Sequence, residues 1–184
     1  MKKMENTIKS LLVLVLITFT SCKNKENGVD PKLEEKPKNE FFSVELDVVN
    51  TLEDNYALYY TEDNSINFVS DKALWSGVKG QPQSQKVVFK LSEEIVPTDI
   101  RLDFGIVKSQ KEVILENVKM DYYGKSFQFK GSDFLNYYRP NDSIKTEIDQ
   151  VKGTIKFLQN PKRYNPIFFY PNERLLEEIK KIYK

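Results

Sequence analysis

The sequence of 184 residues contains no histidine, and this absence excludes several common kinds of active site. Without an imidazole there is no Ser-His-Asp triad, no Cys-His pair and no histidine ligand for a metal ion. The single cysteine excludes an intramolecular disulfide and a zinc ribbon. Only 7 scattered glycines are present, so a glycine-rich phosphate loop is also missing. We therefore expect a protein that is not an enzyme and that holds no metal ion.

The sequence also lacks an excess of charge of either sign. Its 28 basic and 27 acidic side chains give a formal net charge of +1. Because binding to phosphates needs a clear surplus of Lys and Arg, we expect no nucleic-acid partner. Aromatic residues are plentiful instead, with 12 Phe and 10 Tyr. Aromatic side chains favour strands, so the composition indicates a mainly β protein.

The first 21 residues have the three-part pattern of a secretory signal peptide. Three lysines lie within the first ten residues, an apolar run follows at 11–17, and hydroxyl-bearing residues then lead to Ser21 and Cys22. The apolar run is well short of the about 20 residues that a membrane-spanning helix needs. We therefore predict a signal peptide at residues 1–21 rather than a membrane span.

The segment Phe19-Thr20-Ser21-Cys22 resembles the lipobox of bacterial lipoproteins. This resemblance implies cleavage between Ser21 and Cys22, a diacylglycerol on the Cys22 thiol and an acyl chain on its new amino group. More than one chain is needed because a single acyl chain binds a membrane only reversibly. The alternative is an unmodified thiol after ordinary secretion. Apart from these acyl chains we expect no cofactor.

The resemblance also gives an expected location. In that family an Asp after the cysteine tends to retain the protein in the inner membrane, and Lys23 stands here instead. We therefore expect a lipid-anchored protein of the bacterial cell envelope, in the outer membrane, on either of its two sides. Residues 22–39 carry many charges of both signs, two prolines and no aromatic residue. They predict a disordered tether between the lipid and a folded domain at residues 40–184.

Alternating apolar and polar residues predict strands through most of the domain, as in Phe42, Val44, Leu46 and Val48. Strands that recur every about 10–15 residues without long helices between them indicate an antiparallel β-sandwich, of jelly-roll or immunoglobulin-like type. The predicted strands lie at 42–48, 56–60, 66–69, 73–78, 87–91, 100–104, 113–122, 127–130, 146–148 and 154–157, with a loop at 80–82.

One tight turn and two helical segments complete the predicted fold. Tyr123-Gly124-Lys125 indicates a hairpin with glycine at a positive φ. A short helical turn is predicted at 132–138 with Ser132 as its cap, and a C-terminal helix at 172–183 with Asn172 as its cap. The apolar stripe of this helix, which could pack on the domain or bind a partner, comprises Leu175, Leu176, Ile179 and Ile182.

Three segments of the domain loosely resemble β-sandwich modules of bacterial cell-envelope proteins. They are residues 59–63, 102–105 and 122–125, which read Tyr-Tyr-Thr-Glu-Asp, Leu-Asp-Phe-Gly and Tyr-Tyr-Gly-Lys. The resemblance carries no functional residue over to this chain.

Carboxylate pairs are the catalytic groups that remain possible without histidine. Glu45 and Asp47 share one face of a strand, as in some jelly-roll glycosidases, but the last acid of that pattern is missing. We interpret them as a solvated strand face, and Arg101 with Asp103 as an ordinary exposed pair. Oxygen-rich segments at 63–65 and 141–143 could bind calcium, yet they are also typical turn formers.

Aromatic rings are the other candidate site, because they serve as flat platforms for sugars. Each ring could also simply pack in the core. The candidates are Trp75, Tyr59, Tyr123, Tyr137, Tyr138 and Phe169.

The leading hypothesis is a non-enzymatic, lipid-anchored binding or accessory module for a glycan or a protein of the envelope. The alternatives are a carboxylate-dependent glycan hydrolase and a structural subunit of an envelope assembly.

Overall fold

The computed structural model describes residues 40–141, 145–158 and 167–184. The predicted signal peptide, the predicted lipidation site at Cys22 and the predicted tether at 22–39 all lie outside these ranges. So do two of the three residues of the possible calcium segment at 141–143. Within the described ranges the chain forms two antiparallel sheets and a C-terminal α-helix, which confirms the predicted β-sandwich.

Eleven strands, one α-helix and two short 3-10 helices make up the described fold. The first sheet contains β1 Ser43–Asn50, β4 Gln81–Lys90, β6 Glu112–Tyr122, β7 Lys125–Lys130, β9 Lys145–Asp149 and β10 Thr154–Leu158. The second sheet contains β2 Asp54–Thr61, β3 Ala73–Val78, β5 Asp99–Asp103, β8 Tyr138–Pro140 and β11 Phe168–Pro171. The helices are α1 Glu173–Tyr183 and the 3-10 segments Ser70–Lys72 and Gly131–Asn136.

The order of strands shows that the chain passes repeatedly between the two sheets. The first sheet has the order β4-β1-β6-β10-β9, with β7 paired to the later part of β6. The second sheet has the order β3-β2-β5-β11-β8. Apart from β2 and β3, neighbouring strands of the second sheet come from distant parts of the sequence, so most side chains on its outer surface meet only after folding.

The core lies between the two sheets and follows the predicted alternation. On β1, Val44, Leu46 and Val48 are buried, and Glu45 and Asp47 face outward. An aromatic cluster fills part of the core. It is built around Phe104, whose ring meets Phe134 and Phe169 edge to face, each at a centroid distance of 5.7 Å.

The hairpin between β6 and β7 turns at Tyr123 and Gly124, with φ of 51° and 80°. Two successive positive φ values are the geometry of a type I′ turn, whose twist matches that of the paired strands. The predicted hairpin at 123–125 is therefore confirmed.

The C-terminal helix is confirmed as well. The Asn172 side chain accepts a hydrogen bond from the Leu175 N–H at 3.2 Å, which is the predicted N-cap. Leu175, Ile179 and Ile182 are buried, because α1 packs against β6 and β7 of its own domain. Of the two interpretations of the apolar stripe, packing within the domain is the one that the structure shows.

Three predicted elements differ from the structure. Residues 66–69 form no strand, and Ile66 and Val69 are about half exposed. Gln81 and Pro82, which were predicted to lie in a loop, begin strand β4 at the edge of the first sheet. An edge strand tolerates proline, because a backbone N–H on the outer side of such a strand forms no hydrogen bond with a neighbouring strand. The segment predicted at 132–138 is a 3-10 helix at Gly131–Asn136, and Ser132 does not cap it.

Candidate functional site

Five aromatic rings lie together on the outer surface of the second sheet. Because Tyr56, Leu58 and Tyr60 of β2 point into the core, Tyr59 points outward, and the same alternation places rings of β3 and β11 on this side. We call this surface the aromatic face and define it by Tyr59, Phe68, Trp75, Phe168 and Tyr170.

Trp75 is the most exposed ring of the aromatic face, with 54% of its surface accessible. It meets Tyr59 edge to face at a centroid distance of 6.5 Å, because β3 and β2 are neighbours in the sheet. Phe68, on the connection before β3, approaches Tyr170 at 6.0 Å. Phe168 and Tyr170 alternate on β11 and are 5.3 Å apart. The rings thus form two contacting groups, and the Arg101 guanidinium lies between them, over Tyr59 and Phe168.

An ion pair between Arg101 and Asp103 of β5 lies at the centre of the aromatic face. The Arg101 Nε donates to Asp103 Oδ1 at 2.8 Å, and its Nη2 donates to Oδ2 at 2.7 Å. The Arg101 side chain is 13% exposed and that of Asp103 is 3% exposed. The expectation of an ordinary exposed pair is therefore wrong, since the two residues form a bidentate and nearly buried bridge.

Aromatic rings cover this ion pair from both sides. The Arg101 guanidinium carbon lies 4.0 Å from the Tyr59 ring centroid and 4.3 Å from that of Phe168. Tyr59 belongs to β2 and Phe168 to β11, the strands on either side of β5. The guanidinium is thus held between two rings, a geometry that favours cation–π attraction.

Burial and charge pairing act in opposite directions on the pKa values of this pair. Burial raises the pKa of Asp103, although the hydrogen bonds and positive charge of Arg101 lower it, and the net direction is upward. Burial lowers the pKa of Arg101, while the bonds and charge of Asp103 raise it, and the net direction is also upward. Arg101 therefore stays charged at any pH at which the domain would be studied.

A second arginine stands at the edge of the aromatic face. Arg139 on β8 lies directly across from Tyr170 on β11, and its guanidinium carbon is 4.9 Å from the Tyr170 ring centroid. Neighbouring strands are about 4.8 Å apart, so the surface from β3 to β8 spans about 19 Å. It is long enough for an extended ligand rather than a single small molecule.

Only two of the six predicted aromatic candidates belong to the aromatic face, namely Trp75 and Tyr59. Tyr123 is exposed, but it lies on the β6–β7 turn of the first sheet. Tyr137, Tyr138 and Phe169 are buried in the core and are wrong as surface candidates. They are buried because Tyr138 and Phe169 point inward from the second sheet, while the Tyr137 ring packs on Phe129 at 4.4 Å.

The remaining carboxylate candidates have structural partners. Glu45 and Asp47 both contact the Lys86 Nζ, at 2.7 and 3.2 Å, on the outer surface of the first sheet. Asp63 accepts a hydrogen bond from the Ser65 N–H at 3.1 Å, within a turn. Across the described parts of the chain, no group of three acidic, cysteine or histidine side chains is placed to hold a metal ion.

The buried carboxylate of Asp54 was not predicted from the sequence. It accepts hydrogen bonds from the backbone N–H groups of Ile106 at 2.8 Å and Val107 at 3.2 Å. These hydrogen bonds hold the loop after β5 close to Asp54. Gly105 in this loop has a φ of 93°, and a side chain at this position would collide with the Asp54 carboxylate. The sequence signal available for Asp54 was an acid two residues before the strand predicted at 56–60.

Comparison with known proteins finds no matching family, no matching curated protein and no matching solved structure. No helix within the described residues is long and apolar enough to cross a membrane. What this chain does must therefore be argued from the aromatic face itself.

Proposed function

We propose that this protein is a lipid-anchored lipoprotein of the bacterial cell envelope whose β-sandwich domain binds a glycan through the aromatic face. The observation that carries the proposal is Trp75, more than half exposed beside Tyr59 on an outward sheet surface. Trp75 and the four half-buried rings beside it form an apolar patch, and such a patch on a protein surface often marks a binding site.

The geometry of the aromatic face suits a carbohydrate chain. Sugar rings have apolar C–H surfaces that stack on aromatic rings, and they have hydroxyl groups that need polar partners. Trp75 and Tyr59 provide the apolar surface, and the exposed guanidinium of Arg139 beside Tyr170 provides a polar one.

The same geometry favours binding over hydrolysis. A glycosidase of the carboxylate type needs two carboxyl groups about 5–10 Å apart, free to act on the bond between them. Asp103 is the carboxylate at the centre of the aromatic face, and both of its oxygens accept hydrogen bonds from Arg101. Asp99, four residues earlier on β5, is buried and about 13 Å away along the strand.

The anchor proposed for this domain is the lipid on Cys22, with residues 22–39 as the tether. The mature chain would carry 25 basic and 26 acidic side chains, because cleavage removes three lysines and one glutamate from the totals of 28 and 27. Such a balanced chain has no strong attraction to anionic lipids, so the acyl chains must hold it to the membrane. We propose the outer membrane as its location.

Affinity electrophoresis against a panel of soluble envelope and plant polysaccharides tests the glycan proposal. We expect the wild-type domain to be retarded by at least one of them and Trp75→Ala to lose the retardation. Tyr123→Ala is the matched control, since it removes a ring of similar exposure, 46%, from the other sheet. Absence of retardation by every polysaccharide, or equal loss in both variants, would contradict the proposal.

A protein partner is the second candidate function. Trp, Tyr and Arg are the residue types that dominate binding energy at protein interfaces. The aromatic face contains Trp75 and two tyrosines, and Arg101 and Arg139 contact its rings. Cross-linking in intact cells would favour this alternative if Trp75→Ala abolished one defined cross-linked product while the polysaccharide panel gave no retardation.

A further inference from the structure

We propose that the aromatic face selects acidic glycans, whose sugars carry carboxylates, and that Arg139 is the residue that contacts the carboxylate. This inference rests on the proposed glycan-binding function and specifies its ligand class. It is based on a difference in exposure and charge pairing between Arg101 and Arg139, the two arginines that contact rings of the aromatic face.

Arg139 presents to solvent a positive charge that none of the described carboxylates neutralises. Its side chain is exposed, and none of the ion pairs found among residues 40–141, 145–158 and 167–184 involves it. The Tyr170 ring contacts this guanidinium through its π face, a kind of contact that uses none of the N–H donors. An exposed planar guanidinium is suited to bind a carboxylate through two parallel hydrogen bonds.

Arg101 differs because its charge is already matched. Asp103 neutralises it with two hydrogen bonds, and Tyr59 and Phe168 cover it. Asp99, the other acid of β5, is buried and presents no charge to solvent. The exposed charge on the strands of the aromatic face is therefore the positive charge of Arg139, which complements an anionic ligand.

The position of Arg139 relative to the rings gives the orientation of the ligand. A run of contacts leads from Trp75 through Tyr59, Arg101, Phe168 and Tyr170 to Arg139. A glycan that stacks along the rings would bring the acidic group of one sugar to the β8 edge of the sheet. Arg101 and Asp103 act as positioning residues, because they hold Tyr59 and Phe168 on either side of β5.

The experiment compares acidic polysaccharides with chemically matched neutral ones. Polygalacturonate, alginate and hyaluronate are each tested beside their carboxyl-reduced form, with the full-length protein purified in detergent and binding measured by isothermal titration calorimetry. We expect the acidic form of at least one pair to bind about tenfold or more tightly than its reduced form, the size expected for one charge-assisted contact. This preference should weaken as salt is added.

Arg139→Ala should remove the preference and leave the binding of the reduced form unchanged. Arg174→Ala is the matched control, since Arg174 is also exposed and its guanidinium carbon lies 5.0 Å from the ring centroid of Tyr137, outside the aromatic face. Both residues are on the surface, so both variants should fold, and thermal unfolding followed by circular dichroism verifies this.

Each result has a distinct meaning. Equal binding of acidic and reduced forms would overturn the acidic-glycan inference and leave the proposed function intact. Binding of neither form of any pair would overturn the inference, and the polysaccharide panel with Trp75→Ala then decides separately whether the proposed function also fails. Loss of the preference in both arginine variants would assign it to general positive charge and overturn the role of Arg139.

Discussion

At the scale of single residues, the Arg101–Asp103 pair shows how burial changes the contribution of an ion pair to stability. On an exposed strand such a pair contributes only about 0–1 kcal/mol to stability. Here the rings of Tyr59 and Phe168 cover the pair, so removing one charge leaves the other buried without a counter-ion. Breaking a buried pair in this way costs about 3–5 kcal/mol.

Asp103→Asn tests this difference. It preserves the volume of the side chain and removes its charge, so we expect the free energy of unfolding to fall by about 3–5 kcal/mol in urea denaturation. Asp47→Asn is the control, since Asp47 pairs with Lys86 on an exposed surface, and its effect should stay within about 1 kcal/mol. Similar losses in the two variants would show that burial does not govern the Arg101–Asp103 pair.

Arg139, by contrast, gains its proposed role from exposure. Its charge can act on a ligand because none of the described carboxylates neutralises it. The two arginines therefore have different uses on one surface. Arg101 orders the rings, and Arg139 would distinguish among ligands.

At the scale of elements, strands with a clear alternation and helices with a clear cap were predictable. β1, β2, β3, β6 and α1 have such patterns, and the structure confirms them. The strand predicted at 66–69 was wrong. This segment is not paired with a neighbouring strand, and its residues Ile66 and Val69 remain about half exposed. The short strands β8 and β11 were missed, since each depends on pairing with a distant segment and has too few residues to show a period.

Two glycines show how element packing limits substitution. A Cβ on Gly131 would lie 1.6 Å from the backbone oxygen of Leu115 in β6, so the 3-10 helix could not keep its place. A Cβ on Gly77 in β3 would meet nothing closer than the Asn55 Oδ1 at 3.9 Å. The two positions should therefore respond oppositely to alanine.

Gly131→Ala should lower the free energy of unfolding by at least about 2 kcal/mol, because backbone rather than a flexible side chain blocks the new atom. Gly77→Ala should leave it unchanged or raise it by about 0.5–1 kcal/mol, since alanine has less backbone entropy to lose in a strand. Thermal or urea unfolding measures both. A tolerated alanine at 131 would show that β6 and the 3-10 helix are not in such close contact.

At the scale of the whole molecule, the proposed function joins a lipid anchor to a binding surface. The anchor is inferred from residues 19–22, and the aromatic face is formed by residues between 59 and 170. We propose that the mixed-charge tether between them lets the domain reach a polymer away from the bilayer.

Cys22→Ala tests the anchor. Without the thiol no diacylglycerol can be attached, so we expect the variant to leave the membrane fraction and to lose incorporation of radiolabelled palmitate. Ser21 and the rest of the signal peptide are unchanged, so export itself should begin normally. Retention of the variant in detergent-soluble membranes would contradict the lipid anchor, and the aromatic face could still bind its ligand.

The sequence by itself determined the local features of this protein. Alternation assigned most strands, the Tyr123-Gly124 turn assigned a hairpin, and Asn172 assigned the start of α1, because each depends on neighbours within a few residues. The sequence also indicated Trp75 and Tyr59 as candidate binding rings. It did not distinguish them from Tyr138 and Phe169, which the structure shows to be core residues.

Only the tertiary structure decided which residues form the aromatic face. Alternation along a strand predicts which of its side chains point to the same face of the sheet. It does not predict which strand lies next to that strand, or which face of the sheet is exposed to solvent. The order β3-β2-β5-β11-β8 brings Trp75, Tyr59, Arg101 and Phe168 together, although Tyr59 and Phe168 are more than a hundred residues apart in the sequence. Strand pairing is long-range, so the burial of Asp103 and the exposure of Trp75 follow from the sheet and not from the residues next to them.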